Sequence, residues 1–360
     1  MKSGKFLSGV VALLTAFLVA TGLSPARAAD EPLRPGRMPG LPFVPCIEMP
    51  EVPCYTPTYA DDYNWINFTQ LGMTGSVKAK QWARIPIAVL GNVAQVGYGY
   101  PAPNPPEYEN GTDFYYELRS FFTSPKGSKY NYGLSPIIPV RTVAFGSIPV
   151  QVEVQIGQRR DKNGLPYPLR SSTRDEIRNG IGGAPVSRVR LYPAKLDEQV
   201  HVYVRKVTVD GVRVALGPNC GTTSLARLSV RSEYVEDTRG EPPFQNDGFD
   251  PRHGFYGLSG GSLAGTIDIP SFSKCSTSTG DDLSPLLSAA ISGPGNPVDI
   301  VVGEMSCVQQ SGDETNTALP PAPGSNTPQS INCKRFSPNP KVKVVPDPLP
   351  FPDEAPGETP

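Results

Sequence analysis

The most regular pattern in the chain is an alternation of apolar and polar residues with a period of two. Between Ile148 and Ile156 every second residue is isoleucine or valine, and proline, glutamine or glutamate stands between them. Successive side chains of a β-strand point to opposite faces, so this pattern predicts a strand with one buried face. The segment Asp161–Gly164, which follows, predicts a turn.

A hairpin is predicted farther along the chain. Valine alternates with polar residues in Val200–Val204, and Val207–Val209 is separated from Val212–Val214 by Asp210 and Gly211. An Asp-Gly pair readily adopts the two positive φ angles of a tight two-residue turn. Two further strands are predicted at Ala226–Val230 and Leu263–Ile269.

One segment combines the signals of a helix and of a strand. Five apolar residues recur at helical spacing after two aspartates that could cap a helix. A turn-like stretch, Ser292–Asn296, and an alternating apolar stretch, Val298–Val302, come next. Together they predict a helical turn near Ser284–Leu287 that leads into a strand. The five apolar residues are Leu283, Leu286, Leu287, Ala290 and Ile291.

Short strands between glycine and proline turns predict a mostly β fold, an antiparallel β-sandwich or barrel-like domain. We assign this domain to residues 61–310, which could divide into two β modules near residue 185. Many of the 42 prolines lie outside it. Because proline fixes φ and cannot join the interior of a helix or sheet, we expect a proline-rich extended arm at 29–60 and a largely disordered tail at 311–360.

The first 28 residues have the three parts of a cleavable secretory signal peptide. Lys2 and Lys5 precede an apolar stretch, Leu7–Leu18, and small residues surround a predicted cut before Ala29. The apolar stretch is shorter than the ~20 residues that span a bilayer as a helix, and no cysteine follows the cut to carry a lipid. The sequence therefore predicts a secreted or extracellular protein that could associate with the cell envelope and has no membrane span.

Charge argues against nucleic acid as a partner. When Lys2, Lys5 and Arg27 are removed with the signal peptide, 30 of the 33 basic residues remain beside 34 acidic ones, a net charge near −4. Such a balance offers no basic surface for nucleic acid or for an anionic membrane.

All six cysteines lie in the exported part, and an even number in an oxidising compartment favours three disulfides. Six cysteines allow 15 pairings. Cys46 and Cys54 enclose a short loop and are expected partners, and we further expect Cys220 with Cys275 and Cys307 with Cys333. A zinc site is disfavoured because there is no CxxC pair and the chain has two histidines.

A GxSxG motif spans Gly257–Gly261 and has His253 close by. In a nucleophile elbow the serine, here Ser259, lies between a strand and a helix, and the histidine follows later in the chain. Here a strand-like segment follows and no later histidine exists, so a glycine-rich loop before a strand is the favoured interpretation. We predict no catalytic residue and no cofactor.

Oxygen-bearing side chains cluster around Gly248 and include Asp247 and Asp250. Calcium-binding loops have a similar composition, but the spacing does not match an EF-hand. An Asx-rich turn is the favoured interpretation, with a calcium site as the alternative.

Ten aromatic residues fall between Tyr98 and Tyr132. Exposed aromatic rings offer apolar faces with a polar tip, which suit sugar rings or protein partners. Nearby prolines favour loops and hence a surface patch, whereas the alternative is that half of these rings point into the core. The candidate binding residues are Tyr98, Tyr100, Tyr115, Tyr116, Tyr130 and Tyr132.

The segment from Val214 to Cys307 resembles secreted β-rich proteins of unknown function that are widespread in actinomycetes. The resemblance rests on Gly217–Cys220, on Gly260–Pro270 leading to Cys275, and on Asp281–Leu286 with Ser292–Asn296 before Cys307. It implies an exported β module with cysteines and transfers no functional residue.

The absence of a coherent catalytic set in the sequence favours an exported, non-enzymatic protein that acts by binding or as a surface component. Its partner could be a cell-envelope polysaccharide or a protein. One alternative is an extracellular hydrolase with an unrecognised site. Another is a lipid or sterol carrier, which would need a large apolar pocket.

Overall fold

The computed structural model describes residues 64–100, 108–122, 124–125, 128–129, 132–144, 148–162, 164, 166–179, 181, 186–237, 252–257, 260–303, 307–309 and 346–358. The predicted signal peptide and the predicted arm at 29–60 lie outside these residues.

Seventeen strands and one helix make up the described part of the chain. Strand β1 is Asn64–Ser76, β2 Gln81–Gly99, β3 Asn110–Phe122, β4 Ile138–Ala144, β5 Ile148–Gln158, β6 Leu169–Asn179, β7 Val186–Leu191, β8 Lys195–Val209, β9 Val212–Val214, β10 Gly221–Thr222, β11 Ala226–Arg231, β12 Val235–Asp237, β13 Phe255–Tyr256, β14 Gly260–Ile269, β15 Phe272–Ser273, β16 Gly293–Val302 and β17 Cys307–Gln309. Helix α1 is Ser284–Ile291.

The strands pair antiparallel in one large sheet, which confirms the predicted mostly β, antiparallel fold. Successive pairings lead from β1 through β2, β3, β6, β8, β11, β14 and β16 back to β1. Because the pairings return to β1, the sheet curves. The β6–β8 link has two residue pairs, Ser171–Leu196 and Ser172–Lys195, so the sheet does not form a regular barrel.

The strands predicted from alternation are present. The stretch from Ile148 becomes β5, and the hairpin becomes β8 and β9, joined by Asp210 at φ 49° and Gly211 at φ 78°. Strands β11 and β14 contain the other two predicted strands. The predicted helical turn extends to Ile291, and Asp282 Oδ1 accepts hydrogen bonds from the backbone N–H and the hydroxyl of Ser284.

Apolar side chains from strands far apart in sequence form one core. Phe68 and Leu118 from the first part of the chain pack with Val202 and Val302 from the second part. The core therefore draws on strands on both sides of residue 185.

Residues 346–358, here called the C-terminal strap, lie against the β1–β2 hairpin. Trp82 Nε1 donates a hydrogen bond to the carbonyl of Glu354 at 2.8 Å. The Arg84 guanidinium donates to the carbonyl of Leu349 at 2.7 Å and lies 4.3 Å from the centre of the Phe351 ring. This part of the tail, for which the sequence predicted disorder, thus contacts the folded domain at defined points.

Candidate functional site

The main candidate site is a cavity of about 860 Å³ inside the curved sheet. Its volume is in the range of small-molecule sites, roughly 300–1,000 Å³. Strands β4, β5, β8 and β9 form one wall, the β1–β2 hairpin and β14 form another, and α1 lies at one side. Most of its wall is aliphatic, including Ile138, Val140, Val150, Val152, Val154, Ile156, Val202, Val207, Val209, Ile267, Ile269, Leu283, Leu287 and Ile291.

The same alternation that predicted the strands builds the wall of the cavity. In the ladder, Val152 of β5 lies between Val140 of β4 and Val207 of β8. Two residues along β5, Val150 lies opposite Val209. Since these rows share one face, the valines present a continuous apolar surface to the cavity.

The cavity has a buried end and an open mouth. Val152, Val202 and Val207 at the inner wall are buried. Ile148 and Leu286 line the mouth and are 37% and 49% exposed. An apolar molecule could therefore enter from one side and lose most of its contact with water.

Few polar groups of the described lining are free to meet a ligand. The Thr74 hydroxyl donates to the carbonyl of Pro297 at 3.1 Å, and the Ser76 hydroxyl donates to that of Ala290 at 2.8 Å. The side-chain oxygen of Gln81 is buried and has no hydrogen-bond partner in the described part of the chain. This oxygen has no surface open to the cavity, so the accessible lining remains mainly aliphatic.

The two charged residues of the lining, Arg213 and Asp281, are exposed at the mouth. Arg213 is paired with Thr208 across β8–β9, on the face opposite to Val207 and Val209. Asp281 accepts a hydrogen bond from the Thr279 hydroxyl at 2.8 Å. Both charged residues of the described lining are therefore at its exposed end.

A disulfide between Cys220 and Cys275 supports the mouth and confirms that predicted pair. Beside it, Leu216 bridges to Thr277, and the Leu283 N–H donates to the Cys275 carbonyl. The bond thus connects the segment after β9 to the turn that precedes α1. The other predicted pairs cannot be followed, because Cys46, Cys54 and Cys333 lie outside the described residues and only the backbone of Cys307 is described.

The six candidate tyrosines do not form one exposed patch. Tyr100 is 77% exposed, whereas Tyr115 and Tyr116 of β3 are 5% and 2% exposed and belong to the interior. Tyr132 is partly buried, and burial raises the pKa of its hydroxyl. Both faces of β3 are covered, which alternation within a single strand does not reveal. The side chains of Tyr98 and Tyr130 lie outside the description.

The GxSxG segment shows no catalytic arrangement in its described residues. His253 Nδ1 lies 3.1 Å from Glu233 Oε2, and both side chains are exposed. Ser259 lies outside the described residues, as do the calcium candidates Asp247 and Asp250. Within the described ranges, no three potential metal ligands come together.

A buried polar network on β3, β6 and β7 was not predicted from the sequence. Arg178 lies 2.9 Å from Asp113 and 3.3 Å from Glu176, and Arg188 lies 3.1 Å from Glu176. These carboxylates and guanidinium groups neutralise one another, so we interpret the network as structural. Asp113 on β3 was a signal for it, but its partners Arg174 and Arg178 lie on β6, with Arg174 61 residues away. The remaining members are Arg190 and Tyr192.

No protein-family model, curated protein or solved structure matches the chain. Of the helices in the described ranges, none is both long and apolar enough to cross a membrane. The functional argument therefore depends on the cavity itself.

Proposed function

We propose that this protein is an exported, non-enzymatic carrier that binds an apolar small molecule, such as a lipid, in the cavity. The single observation that carries the proposal is the aliphatic lining of a cavity of about 860 Å³ with an open mouth. The signal-peptide pattern and the disulfide support the exported location.

The lining favours a ligand with an extended apolar body. Burial of apolar surface is the dominant favourable term in such a site, because the apolar surfaces of the ligand and of the cavity wall both leave water. With Arg213 and Asp281 confined to the mouth, a charged group on the ligand would remain outside, in water.

The hydrolase alternative has less support. His253 is not among the described residues that line the cavity, and Asp250 and Ser259 lie outside the described residues. Catalysis by an acid or base requires such a group within hydrogen-bond distance of the substrate.

Filling the cavity should test the proposal. Val150→Trp puts a large ring into the space near the mouth, where Val150 is partly buried. We expect the variant to fold and to bind the apolar probe N-phenyl-1-naphthylamine about tenfold more weakly than the parent. Probe fluorescence in a titration gives the affinity, and circular dichroism verifies the fold.

Gln151→Trp is the matched control, because Gln151 is the next residue of β5 and its side chain points away from the cavity. Its affinity should equal that of the parent. If the parent does not bind the probe, or if both tryptophan variants bind equally, the cavity is not a ligand site. Native mass spectrometry of the secreted protein should also detect a bound lipid.

A further inference from the structure

Exposed apolar side chains surround the mouth of the cavity. Ile148 at the start of β5 is 37% exposed, Val212 on β9 is 69% exposed, and Leu286 on α1 is 49% exposed. The described part of the chain has seven exposed large apolar side chains, and three of them are at this mouth. Such a concentration usually marks an interaction surface.

The fold brings these three residues to one opening from separate elements. The Asp210 N–H donates to the Pro149 carbonyl at 2.8 Å, so the β8–β9 turn adjoins the start of β5. Val212 is paired with Val209, which lines the cavity. Leu286 lines the same cavity from α1. We call Ile148, Val212 and Leu286 the apolar rim.

We propose, on the basis of the proposed function, that the apolar rim docks on the surface of a zwitterionic lipid bilayer. The ligand would then pass between bilayer and cavity during this contact. An apolar ligand that left the cavity through water would expose its whole apolar surface, which is unfavourable. Contact between the rim and the bilayer provides an apolar path, because the rim is continuous with the lining.

The chemistry of the rim favours a lipid surface over a protein partner. Centres of protein interfaces are enriched in aromatic residues and arginine within a patch of roughly 800 Å² per partner, whereas the rim consists of three aliphatic side chains. The exposed charged residues of the β8–β9 hairpin and of the turn before α1 are mainly acidic, with Asp210, Asp281 and Asp282 against Arg213. This excess of acidic residues would be repelled by anionic lipids, so we commit to zwitterionic lipid.

Transfer kinetics test the proposal. The full chain without its predicted signal peptide is loaded with anthroyloxy-labelled stearate and mixed with phosphatidylcholine vesicles that contain a quencher. If transfer requires contact, its rate rises with vesicle concentration. If the ligand first dissociates into water, the rate does not depend on vesicle concentration.

Val212→Asp tests the rim, because Val212 is exposed and does not itself line the cavity. We expect the variant to transfer the labelled stearate on the order of tenfold more slowly, which is within the range by which substitutions change association rates. Its equilibrium affinity for the probe N-phenyl-1-naphthylamine should be unchanged. Ile181→Asp is the matched control, since Ile181 is 65% exposed and is not part of the cavity. Its transfer rate should equal that of the parent.

The outcomes separate this proposal from the proposed function. If the parent binds the labelled stearate but transfers it at a rate independent of vesicle concentration, or if the two aspartate variants transfer it at the same rate, docking on lipid is overturned and the carrier function stands. If the parent does not bind the probe at all, the carrier function fails, and the docking proposal fails with it.

Discussion

At the scale of single residues, Asp175 has the most unusual environment in the described part of the chain. It is fully buried on β6, and its Oδ2 accepts a hydrogen bond from the Gly257 N–H at 3.4 Å. Its Oδ1 has no hydrogen-bond partner among the described residues. Burial disfavours the charged carboxylate and raises the pKa of Asp175 well above its ordinary value.

This raised pKa gives the stability a definite pH dependence. Between the ordinary pKa of the unfolded chain and the raised pKa of the folded protein, folding takes up a proton at Asp175. The contribution of this proton uptake to the free energy of unfolding is therefore complete at pH values below the pKa of Asp175 in the unfolded chain. It is lost as pH rises toward the pKa of Asp175 in the folded protein. The loss is about 1.4 kcal/mol per pH unit at most.

Asp175→Asn should remove this dependence. The amide is uncharged at every pH, so we expect the variant to lose less stability than the parent between pH 4 and pH 8. Urea denaturation at a series of pH values measures the free energy of unfolding. Asp353→Asn changes an exposed aspartate and should follow the parent. If the Asp175→Asn profile also runs parallel to that of the parent, Asp175 does not take up the proton.

At the scale of elements, the β1–β2 hairpin lies between the cavity and the C-terminal strap. Gln81 and Ala83 of β2 line the cavity, whereas Trp82 and Arg84 bind the strap on the other face. The strap comes so close to Gly75 that a Cβ atom there would lie 2.6 Å from Pro356 Cγ. The strap therefore holds one wall of the cavity in place.

Deletion of the strap should loosen that wall. We expect a chain that ends at residue 345 to lose about 1–3 kcal/mol of stability, because two hydrogen bonds and the Arg84–Phe351 contact disappear. Hydrogen exchange should increase most in residues 74–84, and the apolar probe should dissociate faster.

Glu358→Gln is the control for this deletion. It removes the ion pair with Lys80, in which both side chains are more than half exposed, so stability should not change measurably. If the truncated chain retains the stability and the exchange pattern of the parent, the strap does not support the hairpin.

At the scale of the whole molecule, local patterns were predictable and long-range arrangements were not. Strand β5 and the β8–β9 hairpin followed from alternation and from Asp210-Gly211, which act within a few residues. The cavity depends on which strands pair, and a valine that packs in a core alternates in the same way as a valine that faces a cavity. The strap was missed for a similar reason, because Trp82 and Glu354 are 272 residues apart.

The disulfide connects this long-range arrangement to the stability of the whole domain. Cys220 and Cys275 are 55 residues apart in sequence, and the loop they close contains β10 to β15. Closing such a loop restricts the unfolded chain and is expected to stabilise the folded state by about 4 kcal/mol, although native strain often reduces this value. The bond should therefore matter for the whole fold as well as for the mouth.

Replacement of both cysteines, Cys220→Ala with Cys275→Ala, should thus lower the free energy of unfolding by about 2–5 kcal/mol. The parent under reducing conditions should lose at least as much, because reduction breaks this disulfide together with the two others that the sequence predicts. Thermal and urea denaturation measure this loss. The double variant should also release the apolar probe faster, since the turn before α1 is no longer tied to the segment after β9. If stability falls while the release rate stays unchanged, the disulfide stabilises the chain without shaping the mouth of the cavity.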